Sequence, residues 1–406
     1  MNFPLKGIRV IELSSYVAVP TLARIMADFG AEVIKIESFA GDGWRGNGKA
    51  YKEPVTDEEN PTFTFPNANK KFISVNTTDP RGREILLHLL KDCDVFLTNM
   101  LPKSLKKMNL NYEAVKEVNP KIVYCDFSAY GDVGAKAGES GFDSTAFWGS
   151  SGLALDAVSA ESFPMRMPAA AGDLVSCMAL LSGVMIALYG VKQTGVGTRV
   201  TSALFWNGLW MANVGVVAVQ YGHKYPFDTN NPPSTPVSFM YQCSDGEWIS
   251  MALNNFLTSP ERMDKLFELL YIEEHRHDPR FASADIISRN KPAMTKIIRD
   301  SIAKHTITEW EERFSAFGAA FTPLPRFESR YRDEQALENG FFEEVHFKSG
   351  NKIMMPTPPI HLTEYAKKST NDGLPGRIGR DTNEVLLSRG YDEKDLKELY
   401  ESGVLK

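Results

Sequence analysis

The sequence predicts an α/β protein built on a parallel sheet, and three observations carry the prediction. Short β-type runs, GIRVIEL at 7–13 and AEVIKIE at 31–37, flank a helix-type run at 21–29 that Gly30 stops. The alternation continues through FISVN at 72–76, a helix opened by Asp79 or Pro80 that runs to Leu90, CDVFLT at 93–98 and KIVYCD at 121–126. Past Tyr221 the texture changes. A Pro- and Asn-rich segment, 226–236, leads to two strand-like runs, 237–243 and 248–253, joined by Ser244-Asp245-Gly246-Glu247. Strands alternating with helices imply a parallel sheet covered on both faces, with ligands at the strand ends that carry the β-to-α loops. The late hairpin implies a smaller α+β domain.

The large domain is therefore expected at 1–222 and 341–406 and the small domain at 223–325, joined by a charged linker at 326–340. Helical patterns at 260–271, 289–304 and 308–317 fill the small domain, and a helix pair at 383–389 and 393–401 closes the chain. Two apolar runs, 174–191 and 201–220, approach the length of a membrane span. Ser176, Ser182, Asn207 and Asn213 interrupt them without a flanking Lys/Arg bias. They read instead as two helices buried on all sides, in a large core or in a dimer interface.

Composition excludes several functions. The 45 basic and 51 acidic residues leave a net charge of −6, which provides no basic field for nucleic acid. Cys93, Cys125, Cys177 and Cys243 are scattered through apolar surroundings, as buried reduced thiols would be, and residues 1–6 hold no apolar signal core. Both features point to the cytoplasm. The histidines are dispersed, and the one close pair, His275 and His277, sits in the charged run EEHRHDPR. No metal site is expected. The first β-to-α loop, 14–20, lacks G-x-G-x-x-G, and the segment from Gly195 to Thr198 lacks a P-loop lysine, so Gly195 reads as a helix C-cap. No G-x-S-x-G elbow is present.

Carboxylates remain as candidate nucleophiles. In Ala171-Gly172-Asp173 the aspartate sits in the first turn of an apolar helix, where free N–H groups and the helix dipole predict a carboxylate that stays ionised. The adjacent glycine would let a ligand come close. Such an acid can attack a carbonyl carbon, or it can serve as an ordinary N-cap. Asp143, in Gly141-Phe142-Asp143-Ser144, reads as a cap at the start of its own helical segment.

Taken in order, the segments GIRVIELSSYVAVPTLARIMADFGAEVIKIES, GDGWR, NANKKFISVNTTDPRGREIL, DVFLTNMLP, VNPKIVYCDFSAYG, SGFD, AGD, TGVGTRV, PTPP and IGRDTNEVL resemble the family III CoA-transferases, of the formyl-CoA and carnitine-CoA transferase type. The resemblance implies a large Rossmann-like domain, a smaller α+β domain and an interlocked homodimer. It makes Asp173 the catalytic nucleophile, passing through aspartyl anhydride and aspartyl-CoA thioester intermediates. It implies no prosthetic group, only a coenzyme A thioester as substrate, lying across the strand ends near Val17, Ala18, Ser38, Val75, Thr78, Asn99, Met100, Lys107, Ser128 and Tyr130. Lys70, Lys71 and Lys106 join Lys107 as candidate phosphate contacts.

Formyl-type members carry arginine at position 38 and glutamine at position 17, where this chain has Ser38 and Val17, which argues against formate or oxalate and for a bulkier apolar acid. Ser38, PNANKK and SFMYQC look most like transferases of anaerobic amino-acid fermentation, which move CoA to (R)-2-hydroxy acids such as phenyllactate or 2-hydroxyisocaproate. Related racemases of 2-methylacyl-CoA thioesters carry a histidine where this chain has Phe142, which cannot exchange a proton. A non-catalytic CoA-binding subunit would be expected to lack Asp173.

Overall fold

Six short runs of mainly branched and aromatic residues assemble into one parallel sheet. They are β1 (Arg9–Leu13), β2 (Glu32–Glu37), β3 (Lys71–Ser74), β4 (Val95–Thr98), β5 (Val123–Ser128) and β6 (Thr198–Ala203), in the spatial order 3-2-1-4-5-6. The structure, a computed structural model, describes residues 2–232 and 234–406. Pro233, within the Pro/Asn-rich segment at 226–236, lies outside the described residues.

Helices α1 (Ala18–Asp28), α2 (Pro61–Asn67), α3 (Pro80–Lys91), α4 (Pro102–Lys107) and α5 (Tyr112–Val118) fall between the first five strands. Apolar side chains of both element types close one core, with Ile11, Ile34, Ile73, Leu86 and Phe96 buried. Gly30, at φ +103°, ends the first helical segment as predicted, and Asp79 caps α3 through the Arg81 N–H. The strand order reverses between β1 and β4, so a crevice opens outside the carboxyl ends of those two strands.

The sixth strand corrects the prediction for 201–220. Gly195, at φ +71°, caps the long helix α6 (Ala171–Thr194) as expected. Gly197 then lies so close to β5 that a Cβ there would come within 2.4 Å of the Ile122 carbonyl oxygen. That approach turns the chain onto β5, where Asp126 pairs with Thr201, before helix α7 (Leu204–Met211) begins. Cys177, Leu180 and Val184 on α6 are buried, while Ile186 and Tyr189 are exposed. The helix is long and apolar enough to cross a membrane by length and composition alone, yet it packs along α1 and β6. Within the single chain the helix is therefore buried on one side only, so the core alone does not enclose it.

The chain forms two compact units. The first comprises Met1–Leu153, Arg166–Val216 and Asp333–Lys406, and the second Ala154–Met165 and Val217–Arg332. Residues 154–165 thus leave the large domain in which the sequence places them, because the Ala160 N–H bonds the Phe227 carbonyl (2.9 Å). In the second unit β7 (Met240–Gln242) and β8 (Trp248–Met251) form the predicted hairpin, and β9 (Phe321–Pro323) extends it. Trp310, Phe314 and Phe267 centre that unit's core. In the first unit a further hairpin, β10 (Phe342–His346) with β11 (Lys352–Pro356), precedes the C-terminal helices Thr382–Ser388 and Glu393–Glu401.

Candidate active site

The loop after β1 is fixed from several sides. The Asn99 side chain brackets Ser15, accepting its N–H (3.0 Å) and donating to its carbonyl (2.7 Å). Asp42 Oδ1 accepts the N–H groups of both Tyr16 (3.0 Å) and Trp44 (2.9 Å). Its Oδ2 meets Lys35 Nζ at 3.0 Å, and Lys35 donates onward to Glu12 Oε1 (2.7 Å) and the Ser14 carbonyl (3.0 Å). Lys70 Nζ completes the network with Glu12 Oε2 (2.7 Å), the Pro20 carbonyl (2.8 Å) and Asn67 Oδ1 (3.0 Å).

Glu12, Lys35, Asp42 and Lys70 are all buried. Burial opposes the charge on Glu12, but the two lysines prevail and hold its carboxyl below the usual range. Burial brings Lys70 down to about 8 against the pull of Glu12. Lys70 is therefore no phosphate ligand, as the sequence suggested, but part of the support beneath the first loop. Lys71, the first residue of β3 and so away from the carboxyl ends of the strands, is engaged by Glu384 (3.0 Å) and Glu32 (3.3 Å).

Asp173 is the third residue of α6, and its carboxylate accepts no hydrogen bond from the described residues. The predicted capping role belongs to another acid. Asp143 Oδ1 accepts the Asp173 N–H at 3.2 Å, so the aspartate expected to cap its own segment instead reaches the first turn of α6. Its segment, Asp143–Gly149, is a wide π-helical turn, a form frequent at functional sites. Gly172 is where the two pieces touch: a Cβ there would lie 2.3 Å from Asp143 Oδ1 and 2.4 Å from Phe147 Cγ. The glycine admits the protein's own carboxylate and ring, not a ligand as the sequence suggested.

The electrostatics divide the two acids. Burial raises the Asp143 carboxyl above its ordinary value, and the N–H groups of Gly172, Asp173 and Ala170 pull it back. Asp173 has no such relief, so burial and the neighbouring Asp143 charge push it up to about 7. Burial and the Asp143 charge thus oppose the ionisation that the helix N-terminus favours. A half-buried acid that titrates near neutrality and lacks hydrogen-bond donors is a basic, poorly solvated nucleophile. Cys177, one turn on, is no rival: burial pushes its thiol up to about 12.

The other predicted contacts mostly gather at the carboxyl ends of β1 to β5. Val17 and Ala18 open α1 with buried side chains, and the helix has no side-chain cap, which leaves its first N–H groups for an acceptor. Ser38 is exposed just beyond β2. Thr78 is exposed past β3, its hydroxyl donating to Asn76 Oδ1 (2.6 Å). Val75 is fully buried, paired with Leu405, and gives its N–H to the Glu37 carbonyl (3.1 Å), so its side chain has no surface for a ligand. Beyond β4, Asn99 is occupied by Ser15, the Met100 N–H donates to Thr98 Oγ1 (3.2 Å), and Lys107 is exposed at the end of α4. Ser128 ends β5 and accepts the Gly131 N–H (3.0 Å), while the Lys136 ammonium lies 4.8 Å from the centre of the Tyr130 ring.

The profile of CoA-transferase family III matches residues 5–382. The chain is 34% identical over 403 residues to an (R)-2-hydroxy-4-methylpentanoate CoA-transferase of Clostridioides difficile, covering 99% of each sequence. It is 31% identical over 397 residues to a cinnamoyl-CoA:phenyllactate CoA-transferase of Clostridium sporogenes, covering 97% of this chain and 95% of that one. In fold it matches a CAIB/BAIF family protein from Brucella suis at a TM-score of 0.81 and 24% identity, over 96% of this chain and 100% of the other. A carboxylate pair at the head of an apolar helix, on a sheet of this order, thus belongs to a chain similar over its whole length to enzymes that move CoA between acids: the protein is a member of CoA-transferase family III.

Proposed function

We propose that the enzyme transfers CoA from an acyl-CoA to an (R)-2-hydroxy acid with a branched or aryl side chain, such as 2-hydroxyisocaproate or phenyllactate. The single observation that carries the chemistry is the Asp173 carboxyl, raised to about 7 and without hydrogen-bond donors. Ionised Asp173 attacks the thioester carbonyl, and CoA leaves as the thiolate while an acyl-aspartyl anhydride forms. The thiolate attacks the aspartyl carbonyl, releasing the first acid and leaving an aspartyl-CoA thioester. The acceptor carboxylate displaces CoA from that thioester to give a second anhydride. Thiolate attack on its acyl carbon makes the new acyl-CoA and frees Asp173.

CoA lies across the carboxyl ends of the strands, with Val17, Ala18, Ser38, Thr78, Met100, Lys107, Ser128 and Tyr130 beside it and Asn99 shaping the loop. The substrate class is supported by the 2-hydroxy-4-methylpentanoate and phenyllactate transferases it resembles and by Ser38 and Val17, which offer no charge or amide to a small polar acid. We assign the working form as a cytoplasmic homodimer, in which a second copy covers the apolar residues of α6 and α7.

Hydroxylamine trapping during turnover, followed by mass analysis, is expected to mark Asp173 alone. Asp173→Asn is expected to lower exchange at least a thousandfold. Wild-type exchange in that variant, properly folded, would sink the covalent route. A panel of acyl-CoA donors and acid acceptors, read from the CoA products, tests the substrate class.

A further inference from the structure

Three aromatic rings stand in a row at the loop after β1. Tyr16 and Phe142 stand edge to face with centroids 5.5 Å apart, and Tyr16 meets Trp44 at 6.2 Å in the same manner. Phe142 directly precedes Asp143, whose carboxylate accepts the Asp173 N–H, so the row of rings ends one residue along the chain from that pair. Phe142 is 55% exposed and Tyr16 42% exposed. Trp44 is anchored more deeply, its indole N–H donating to the Thr62 carbonyl (3.0 Å).

Tyr16 is held in place against its own backbone preference. Its φ is +69°, a left-handed conformation that a bulky side chain rarely adopts. The Asn99 clamp on Ser15 and the Asp42 bond to the Tyr16 N–H fix both ends of the peptide that leads into that φ. Gly43 closes beneath the ring tip, where a Cβ would stand 3.3 Å from the tyrosine hydroxyl. The hydroxyl has no hydrogen-bond partner among the described residues. Folding gains little from an exposed ring in a strained conformation, and strain of this kind persists where the surroundings enforce it for a task. The ring faces available here are apolar, and aromatic faces recognise branched and aryl groups by stacking and dispersion.

We infer that Tyr16, Phe142 and Trp44 form the acyl-group subsite, gripping the branched or aryl end of the acid while its carbonyl carbon faces Asp173. Tyr16 and Phe142 set the preference for bulky apolar acids over short ones. The inference rests on the transferase reading of Asp173, but its test does not pass through that residue's chemistry.

Thioether analogues cannot acylate Asp173, so calorimetric binding of S-(4-methylpentyl)-CoA and S-ethyl-CoA to the full-length protein reads the subsite alone. The unaltered protein is expected to bind the branched analogue at least tenfold more tightly. Phe142→Ala and Tyr16→Gly, the latter compatible with φ +69° and so preserving the loop, should each cut that preference about tenfold while changing S-ethyl-CoA binding less than twofold. Tyr16→Phe should keep the preference. No preference in the unaltered protein, an unchanged ratio in both variants, or equal weakening of both analogues would overturn the subsite. Failure of the covalent reading would show separately, as an absent hydroxylamine-sensitive adduct, and would leave the binding ratio readable.

Discussion

Asp173 and Asp143 carry the same side chain, and their surroundings give them different work. Asp143 spends its lone pairs on the first turn of α6, whereas Asp173 stands without donors and titrates at about 7. The reacting form is the anion, so kcat/KM should rise with pH through about 7 on its acid limb. Asp143→Asn removes the charge that helps raise Asp173, and should move that limb to lower pH; an unmoved limb would show that burial alone sets it. The same shift has a cost in stability. The folded chain holds the Asp173 proton more tightly than the unfolded chain, where the value is near 3.8, so stability is unaffected below that pH and falls as pH rises toward 7. At ~1.4 kcal/mol per tenfold change in proton affinity, the penalty above pH 7 is at most about 4 kcal/mol. Asp173→Asn should therefore be more stable than the wild type in urea at pH 8, by up to that amount, and gain nothing near pH 4.

At the scale of elements, the support beneath the first loop is a set of buried charges, and such sets fail when one member is removed. Glu12→Gln leaves Lys35 and Lys70 facing each other without their shared anion, and should lower the unfolding free energy by about 3–5 kcal/mol. Without the Glu12 anion Lys70 sheds its proton below its usual point of about 8, so denaturant midpoints should show the deficit narrowing as pH rises toward 8 and staying constant above it. No local pattern in the sequence announces this network, since Lys70 and Glu12 lie 58 positions apart. The strands β1 to β5 and helices α1 and α3 were legible because their apolar spacing is local. Strand β6 was not, because Thr198-Arg199-Val200-Thr201-Ser202-Ala203 is polar and sits between apolar helices, and its pairing depends on the bare Gly197 against Ile122. For the acids, the AGD triplet marked the position, but the cap on α6 comes from a residue 30 positions upstream. Periodicity cannot show which carboxylate keeps the donors.

At the scale of the molecule, the first unit leaves a bare apolar face. Trp210 is 77% exposed and Trp206 61% exposed on α7, with Ile186 and Tyr189 exposed on α6. Patches of this kind mark interaction surfaces, and cover by a second copy predicts a dimer that persists at nanomolar concentration. Sedimentation velocity should show it, and Trp210→Glu should increase the monomer fraction; a wild-type monomer at micromolar concentration would remove the second copy from the account. Until something covers it, that tryptophan-bearing face is the most adhesive part of a newly synthesised chain. Refolding by rapid dilution into cold buffer should therefore yield more precipitate than slow expression, in which nascent chains meet partners before they meet aggregates.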